Sequence, residues 1–160
     1  MKRYRSTEWN FAIDIPKHWH SFPPISSNSP FEVIRFSSKE DGTHLVIVFR
    51  APHDPKQTLK QVCDEAQKRL AAQNFGHFTT SETKIGSRPA LVLEFDRPHP
   101  SGRWLWRAKP SEKDTGTWSC REYFLAEGTL QYTLGFGTTN KDAMFELYDR
   151  IAKSFEFSAE

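Results

Sequence analysis

Apolar and polar residues alternate in several short stretches of the chain, a pattern typical of β-strands with one buried face. In the first stretch the apolar residues occupy every second position, at Trp9, Phe11, Ile13 and Ile15. Residues 31–36 form a second predicted strand, and residues 45–49 (Leu-Val-Ile-Val-Phe) are a continuous apolar run. A run of this kind is typical of a central strand, so we expect both faces of the sheet to be covered there.

Two segments carry apolar residues at helical spacing instead. The first follows Pro55 and has its apolar positions at Leu59, Val62, Cys63, Ala66 and Leu70. The second has them at Met144, Leu147, Tyr148, Ile151 and Phe155. Gly76 is the predicted C-terminal cap of the first helix, and Thr139 with Asp142 resembles a capping box at the start of the second.

Further strands are predicted at residues 78–85, 90–95, 118–126 and 130–136. Three residues separate the last two strands, and within this link Gly128-Thr129 suits a type II′ hairpin turn. Strands joined by such short links, together with two helices, predict an α+β fold with an antiparallel β-sheet flanked by two main helices. At 160 residues, a single domain covering 1–160 is expected.

Charge and targeting features narrow the function classes. Lys and Arg number 22 against 20 Asp and Glu, a net charge of +2, which argues against nucleic acid as the partner. The basic start of the chain is followed by polar residues rather than the apolar core of a signal peptide, and no apolar run reaches the length of a membrane span. We therefore expect a soluble, cytoplasmic protein without an integral membrane segment. In that compartment Cys63 and Cys120 are expected to be free thiols.

Three motifs in fixed order carry a resemblance to a known family. They are Phe-Ala-Ile-Asp-Ile-Pro at 11–16 with Trp19 close behind, Ile-Gly-Ser-Arg-Pro-Ala at 85–90, and Tyr-Thr-Leu-Gly-Phe at 132–136 before a helix that ends Ile-Ala-Lys-Ser-Phe at 151–155. Together they resemble the PsbP-like family, which includes the Mog-type Ran-binding proteins and many small bacterial proteins. The resemblance covers nearly the whole chain. It implies an α/β/α sandwich that binds partners rather than turning over substrates.

One bacterial branch of that family agrees with the expected length and compartment. Its members, the Eag-type chaperones, shield the apolar segments of type VI secretion effectors before export. By this resemblance we expect a non-enzymatic protein- or peptide-binding module, an adaptor or chaperone that shields apolar segments of a secretion effector, present as a monomer or homodimer. The alternatives are an accessory subunit of a membrane-associated complex and a metal-dependent enzyme.

Two pairs of residues could serve the enzyme alternative. His18 and His20 form a His-x-His pair that can begin a metal site, but surface histidines in a turn are the better interpretation. Glu94 and Asp96 share one face of a strand at a spacing that could suit paired carboxylates. Since no flanking feature favours catalysis, we expect no catalytic residues and no metal.

A glycine motif and the cysteines are further candidate sites. Gly-Phe-Gly-Thr-Thr-Asn at 135–140 nearly matches the dinucleotide-binding fingerprint, but Asn140 stands in place of the third glycine and no second strand follows. Strand glycines that face a close-packed helix explain it better, so no cofactor is expected. Cys63 lies on the apolar face of its helix and is interpreted as a buried hydrophobic residue rather than a nucleophile.

The segment 97–109 is the predicted binding surface. It carries four positive charges, no acidic residue and two tryptophans, and Trp and Arg are the residues most enriched at binding hot spots. In a strand, Trp104 and Trp106 would share one face, with Arg103 and Arg107 on the other. The partner's apolar segment would pack on the tryptophans, with the arginines at the rim. The alternative is that both tryptophans fold back onto the sheet as core residues.

Overall fold

The computed structural model describes residues 1–38, 41–98 and 116–157, without the side chains of residues 41–43. Its elements in chain order are β1 (Lys2–Ser6), β2 (Phe11–Ile15), β3 (His20–Phe22), β4 (Glu32–Ser38), β5 (Asp41–Pro52), α1 (Leu59–Ala71), β6 (Gly76–Ile85), β7 (Arg88–Pro98), β8 (Thr117–Glu127), β9 (Leu130–Thr138), α2 (Lys141–Lys153) and β10 (Glu156–Phe157).

The strands form two antiparallel sheets. The main sheet has seven strands in the order β3-β4-β5-β9-β8-β7-β6, and the small sheet has the order β1-β2-β10. Strands β6, β7, β8 and β9 each pair with the next strand along the chain. Strand β5 pairs with β9, although α1 and three strands lie between them in sequence. This arrangement confirms the predicted α+β class with two main helices. No helix among the described residues is both long enough and apolar enough to cross a membrane.

The larger core lies between the main sheet, α2 and the small sheet. From α2, Tyr148 and Ile151 are fully buried against side chains that include Val46 and Val48 of β5. The Tyr148 hydroxyl donates a hydrogen bond of 2.7 Å to the carbonyl oxygen of Gly137, which ties the helix to the sheet. Strand β2 adds its apolar side chains to the same core, so this face of the sheet has two covering elements.

The opposite face of the main sheet carries α1. The helix buries Val62, Cys63 and Ala66 against a second cluster that contains Leu93 and Phe95 of β7. Its packing partners are β6, β7 and β8, which form one half of the sheet. The two helices therefore lie on opposite faces, and α1 packs on only part of its face.

The helix ends differ from the sequence predictions. Helix α1 ends at Ala71 with Ala72 as its cap, and Gly76 begins β6 instead. The left-handed conformation that was expected at the glycine occurs earlier, at Asn74, with φ of 69°. Helix α2 is capped by Asn140, whose side chain accepts a 3.2 Å hydrogen bond from the backbone N–H of Ala143. The Thr139–Asp142 capping box was therefore wrong by one residue.

Two other local predictions had opposite outcomes. Gly128 has φ of 59° at the first position of its two-residue loop, as a type II′ turn requires. The prediction that the apolar run 45–49 is covered on both faces was wrong. Val46 and Val48 are fully buried on the α2 face, whereas the alternate residues, Leu45, Ile47 and Phe49, are half-buried on the α1 face. The reason is that α1 packs over β6–β8 rather than over β5.

Candidate binding groove

The part of the α1 face beside the helix forms a groove of about 430 Å³, within the size range of ligand sites. Its walls are the C-terminal end of α1 on one side and the half-buried side of β5 on the other. The residues that matter for its chemistry are Arg35, Ile47, Phe49, Arg97, Glu122 and Gly135. We call this feature the groove.

Two buried glycines of β9 form the floor of the groove. A Cβ on Gly137 would lie 2.2 Å from Cζ2 of Trp118, so the indole lies directly against the glycine backbone. A Cβ on Gly135 would meet Cε2 of Phe49 at 3.2 Å and Oε2 of Glu122 at 3.5 Å. The expectation that these glycines face a close-packed helix was wrong. They allow side chains of the two neighbouring strands to lie low over β9.

The wall formed by β5 exposes apolar surface that the core does not use. Among the described residues, Ile47 and Phe49 belong to neither core cluster, although both are large and half-buried. Leu45, at the other end of the run, packs partly against the α1 cluster. Since a strand rises about 3.3 Å per residue, the run from residue 45 to residue 49 spans about 13 Å. The wall can therefore contact about four residues of an extended chain.

Glu122 places a carboxyl group inside this apolar groove. It lies on central strand β8, with Leu93 and Gly135 as its cross-strand neighbours. Within the described part of the chain, no hydrogen bond or ion pair reaches its carboxylate. Burial raises the pKa of Glu122 from 4.5 to about 7, and the positive charge of Arg69 opposes this shift. The carboxyl group is therefore an acceptor without a partner, and it is about half ionised near neutral pH.

The two arginines that line the groove already have partners. Arg35 donates from Nη2 to Oε2 of Glu32 at 3.1 Å and also contacts this carboxylate through Nε. Arg97 donates to the carbonyl oxygen of Gln73 at 3.2 Å and stacks over Phe75, with its guanidinium 4.3 Å from the ring centroid. The Nε of Arg97 has no hydrogen-bond partner among the described residues, but it is buried and so is not accessible to a ligand. Of the charged groups that line the described groove, Glu122 is therefore the one that can accept a new partner.

The sequence-predicted binding residues Arg103, Trp104, Trp106 and Arg107 lie outside the described residues. The strands that lead into this segment end beside the groove. Arg97 pairs with Trp118, and Pro98 pairs with Thr117, and both Arg97 and Trp118 line the groove. The predicted binding segment is therefore attached to the sheet at one end of the groove.

The histidine pair does not form a metal site with other described residues. His18 and His20 are exposed, and Trp19 between them is a core residue that is only 2% exposed. Within residues 1–38, 41–98 and 116–157, no three His, Cys, Asp or Glu side chains come close enough together to hold a metal ion.

The carboxylate pair Glu94 and Asp96 lies on the opposite face of the sheet from the groove. Glu94 accepts a 2.8 Å hydrogen bond from Nε of Arg121, and Asp96 lies 2.7 Å from Nδ1 of His77. Each carboxylate therefore has its own cationic or polar neighbour, and the two do not act on a common point.

Both cysteines are free, as the sequence predicted, and both are buried, which was predicted for Cys63 alone. Burial raises the pKa of the Cys63 thiol, and burial together with the charge of Glu122 raises the pKa of the Cys120 thiol well above its usual value. A nucleophilic cysteine needs the opposite shift. These thiols therefore contribute to packing beneath α1.

The sequence reading missed Glu122, although a signal for it exists. Trp118, Cys120 and Phe124 occupy alternate positions of β8 and are all buried beneath or beside α1. Glu122 has the same phase, so the alternation places an acid on an apolar face. Ile47 and Phe49 could not be identified as groove residues from the sequence, because the continuous apolar run 45–49 is also typical of a strand that is covered on both faces.

Comparisons with known proteins concern the fold. No protein-family model matches the chain, and no curated protein matches it by sequence. Among solved structures, the cyanobacterial PsbP (CyanoP) of Synechocystis sp. PCC 6803 is 15% identical, with a TM-score of 0.68 over 98% of this chain and 91% of that chain. A Bacteroides thetaiotaomicron protein is 12% identical, with a TM-score of 0.62 over 99% of this chain and 49% of its own.

A third structural neighbour is LpqN of Mycobacterium tuberculosis, which is involved in cell envelope biogenesis. It is 11% identical, with a TM-score of 0.61 over 99% of this chain and 90% of its own. The similarity to CyanoP and LpqN confirms the PsbP-like fold predicted from the sequence. None of the three neighbours is named for an enzymatic activity. The Mog-type and Eag-type branches stay predictions.

Proposed function

We propose that this protein is a non-enzymatic binding module that holds an extended apolar segment of a partner polypeptide in the groove. The observation that carries the proposal is the half-buried apolar wall of Ile47 and Phe49, which the core formed by the described residues does not use. Apolar surface in a concave site is covered favourably, at roughly 25 cal/mol per Å². A bound segment would supply that cover.

The shape and lining of the groove support a polypeptide as the occupant. The run 45–49 presents about 13 Å of apolar strand surface, the length of about four extended residues. Polar side chains such as Asn28 and Gln73 also line the groove. A few polar groups of this kind orient ligands in otherwise apolar sites.

The test uses fluorescein-labelled heptapeptides and the full-length protein. Two apolar peptides, Ser-Leu-Val-X-Val-Leu-Ser with norleucine or lysine at X, are compared with a polar peptide that has Ser, Thr and Gln at the five central positions. Fluorescence anisotropy should show binding of at least one apolar peptide and none of the polar peptide. Ile47→Ser should weaken binding about tenfold, because a buried aliphatic contact is worth about 1.5–3 kcal/mol.

The matched control for this substitution is Leu91→Ser. Leu91 is also a half-buried aliphatic residue on the α1 face, but it lies beside a different depression, near the start of α1. This control should leave peptide affinity unchanged. Equal losses in both variants, or no binding of either apolar peptide, would contradict the proposed function.

The cellular role proposed for this activity is that of an adaptor or chaperone that shields the apolar segment of a secretion effector. Its support is the expectation from the sequence together with the apolar groove. A neighbouring gene that encodes a secretion effector with an apolar N-terminus would support this role, and the absence of such a gene would weaken it. Affinity purification from the native cell should retain that effector. Retention of membrane-complex subunits instead would favour the alternative, an accessory subunit of a membrane-associated complex.

The predicted segment 97–109 has its own test. Since strand β7 leads into this segment beside the groove, Trp104→Ala should weaken retention of the partner while the melting temperature stays nearly unchanged. A large loss of stability would show that Trp104 belongs to the core, and the hypothesis of a binding surface there would be wrong.

A further inference from the structure

Glu122 is the one charged group lining the described groove that has no partner in the described part of the protein. The other two, Arg35 and Arg97, are held by Glu32 and by Gln73 with Phe75, respectively. Its carboxylate lies over Gly135 and close to the Phe49 ring, on the floor rather than at the rim. A side chain that served only solubility would sit at an exposed position. Here an acid occupies the centre of an apolar site.

The surroundings of Glu122 show which ligand group would suit it. The position that faces it on β9 is a glycine, and β5 contributes Phe49. No side-chain donor from these two positions therefore reaches the carboxylate, and the open space beside it is that of the groove. An ammonium group carries three donors on a compact charge, and a charge-assisted hydrogen bond to a carboxylate is about twice as strong as a neutral one.

We propose that the apolar segment bound in the groove carries a lysine whose ammonium group pairs with the carboxylate of Glu122. This inference rests on the proposed function, because it assigns the chemistry of the same bound segment. The apolar stem of a lysine can lie along Ile47 and Phe49 while its charged end reaches the floor. The groove would then select apolar segments that contain a single basic residue over segments that are apolar throughout.

The ionisation of Glu122 gives the proposal a pH signature. Burial raises the pKa of this carboxyl to about 7, so in the free protein it is largely protonated at pH 6 and largely ionised at pH 8. Lysine stays charged over this range. Affinity for a lysine-containing segment should therefore rise with pH by up to about tenfold between pH 6 and pH 8, while affinity for an uncharged segment should not.

The other titratable or charged groups around Glu122 do not produce this signature. The charged group on α1 is the guanidinium of Arg69, and guanidinium groups do not titrate near neutral pH. The thiols of Cys63 on α1 and Cys120 on β8 have pKa values raised above their usual range, so they stay protonated. From β7, Arg97 contributes another guanidinium, and the described residues of β5 and β9 that face Glu122 are not ionisable.

The experiment compares the norleucine and lysine heptapeptides at pH 6 and pH 8, by anisotropy, with wild-type protein and Glu122→Gln. Wild type should bind the lysine peptide at least about tenfold more tightly than the norleucine peptide at pH 8, and it should lose most of this preference at pH 6. In Glu122→Gln both the preference for the lysine peptide and its pH dependence should disappear, while the norleucine peptide binds at least as tightly as before.

The matched control is Glu82→Gln. Glu82 is exposed and lies outside the groove, so this variant should behave as wild type.

The outcomes separate the inference from the proposed function. Equal binding of both peptides by wild type would overturn the lysine inference and leave the groove as an apolar site. A lysine preference that survives in Glu122→Gln would place the ammonium elsewhere and would also overturn it. If neither peptide binds at either pH, the proposed function fails and the inference falls with it.

Discussion

The raised pKa of Glu122 makes a prediction about stability that needs no ligand. This carboxyl has a pKa of about 7 in the folded protein and 4.5 as its ordinary value, which we take for the unfolded chain. Between these two pH values the unfolded chain is ionised while the folded protein still holds the proton, and this difference favours the unfolded chain. The free energy of unfolding should therefore decrease as pH rises from about 4.5 to about 7, and the contribution should be constant above pH 7. Glutamine at this position does not titrate, so Glu122→Gln removes this contribution.

The magnitude follows from the size of the shift. One pKa unit corresponds to about 1.4 kcal/mol, so a shift from 4.5 to about 7 corresponds to about 3 kcal/mol. Water that reaches the half-buried side chain through the groove reduces this value, and we expect about 2 kcal/mol. Relative to wild type, Glu122→Gln should therefore be nearly neutral at pH 4.5 and more stable by about 2 kcal/mol at pH 8.

The assay is urea denaturation followed by tryptophan fluorescence, at half-unit steps from pH 4.5 to pH 8.5 in reducing buffer. The informative quantity is the difference in unfolding free energy between the variant and wild type at each pH, because the contributions of other titrating groups largely cancel in it. Glu82→Gln, at an exposed position, should give a flat difference. A flat difference for Glu122→Gln as well would refute the reasoning, since it would mean that the folded protein does not disfavour the ionised carboxyl.

Two further predictions concern packing and capping, and both are measured by chemical denaturation at pH 7. Gly137→Ala should destabilise the protein by about 1–3 kcal/mol, because the added methyl would overlap the Trp118 ring at 2.2 Å. Gly135→Ala, with its nearest contact at 3.2 Å to a ring edge that can tilt, should cost clearly less, and equal losses would contradict this account. Asn140→Ala removes the observed cap of α2 and should cost about 1 kcal/mol. Asp142→Ala should cost less, and the reverse order would restore the capping box predicted from the sequence.

The sequence predicted well the elements in which apolar residues recur with the period of a helix or strand that has one buried face. Helix α1, helix α2 and the last two strands were predicted close to their observed bounds, because apolar periodicity and turn residues such as Gly128 act locally. The short strands β1, β3 and β10 were missed. β1 has one buried residue, Ser6, and β10 has two residues, so neither has an apolar alternation to detect.

The groove could not be predicted in the same way, because it depends on which strands α1 covers. The residues 45–49 have the same sequence pattern whether one or two faces are covered, and only the packing of α1 over β6–β8 leaves Ile47 and Phe49 half-buried. Likewise, Gly135 and Gly137 are compatible with a close-packed helix or with close-packed side chains. The nearest atoms belong to the side chains of Phe49, Glu122 and Trp118, which come from distant parts of the sequence.

The unequal cover of the two faces follows from the dimensions of the layers. Seven strands at about 4.8 Å spacing make a sheet roughly 29 Å wide, whereas one helix with its side chains is about 10–12 Å across. On the α2 face the small sheet β1-β2-β10 shares the covering with the helix. On the α1 face the described residues provide one helix, over β6–β8. A groove over β9 and β5 is therefore the expected result of this arrangement, and Gly135 and Gly137 deepen it. Glu122 adds a titratable group to the floor of this groove. The ionisation of Glu122 can depend on what occupies the groove, so the site can respond to the charge of its ligand.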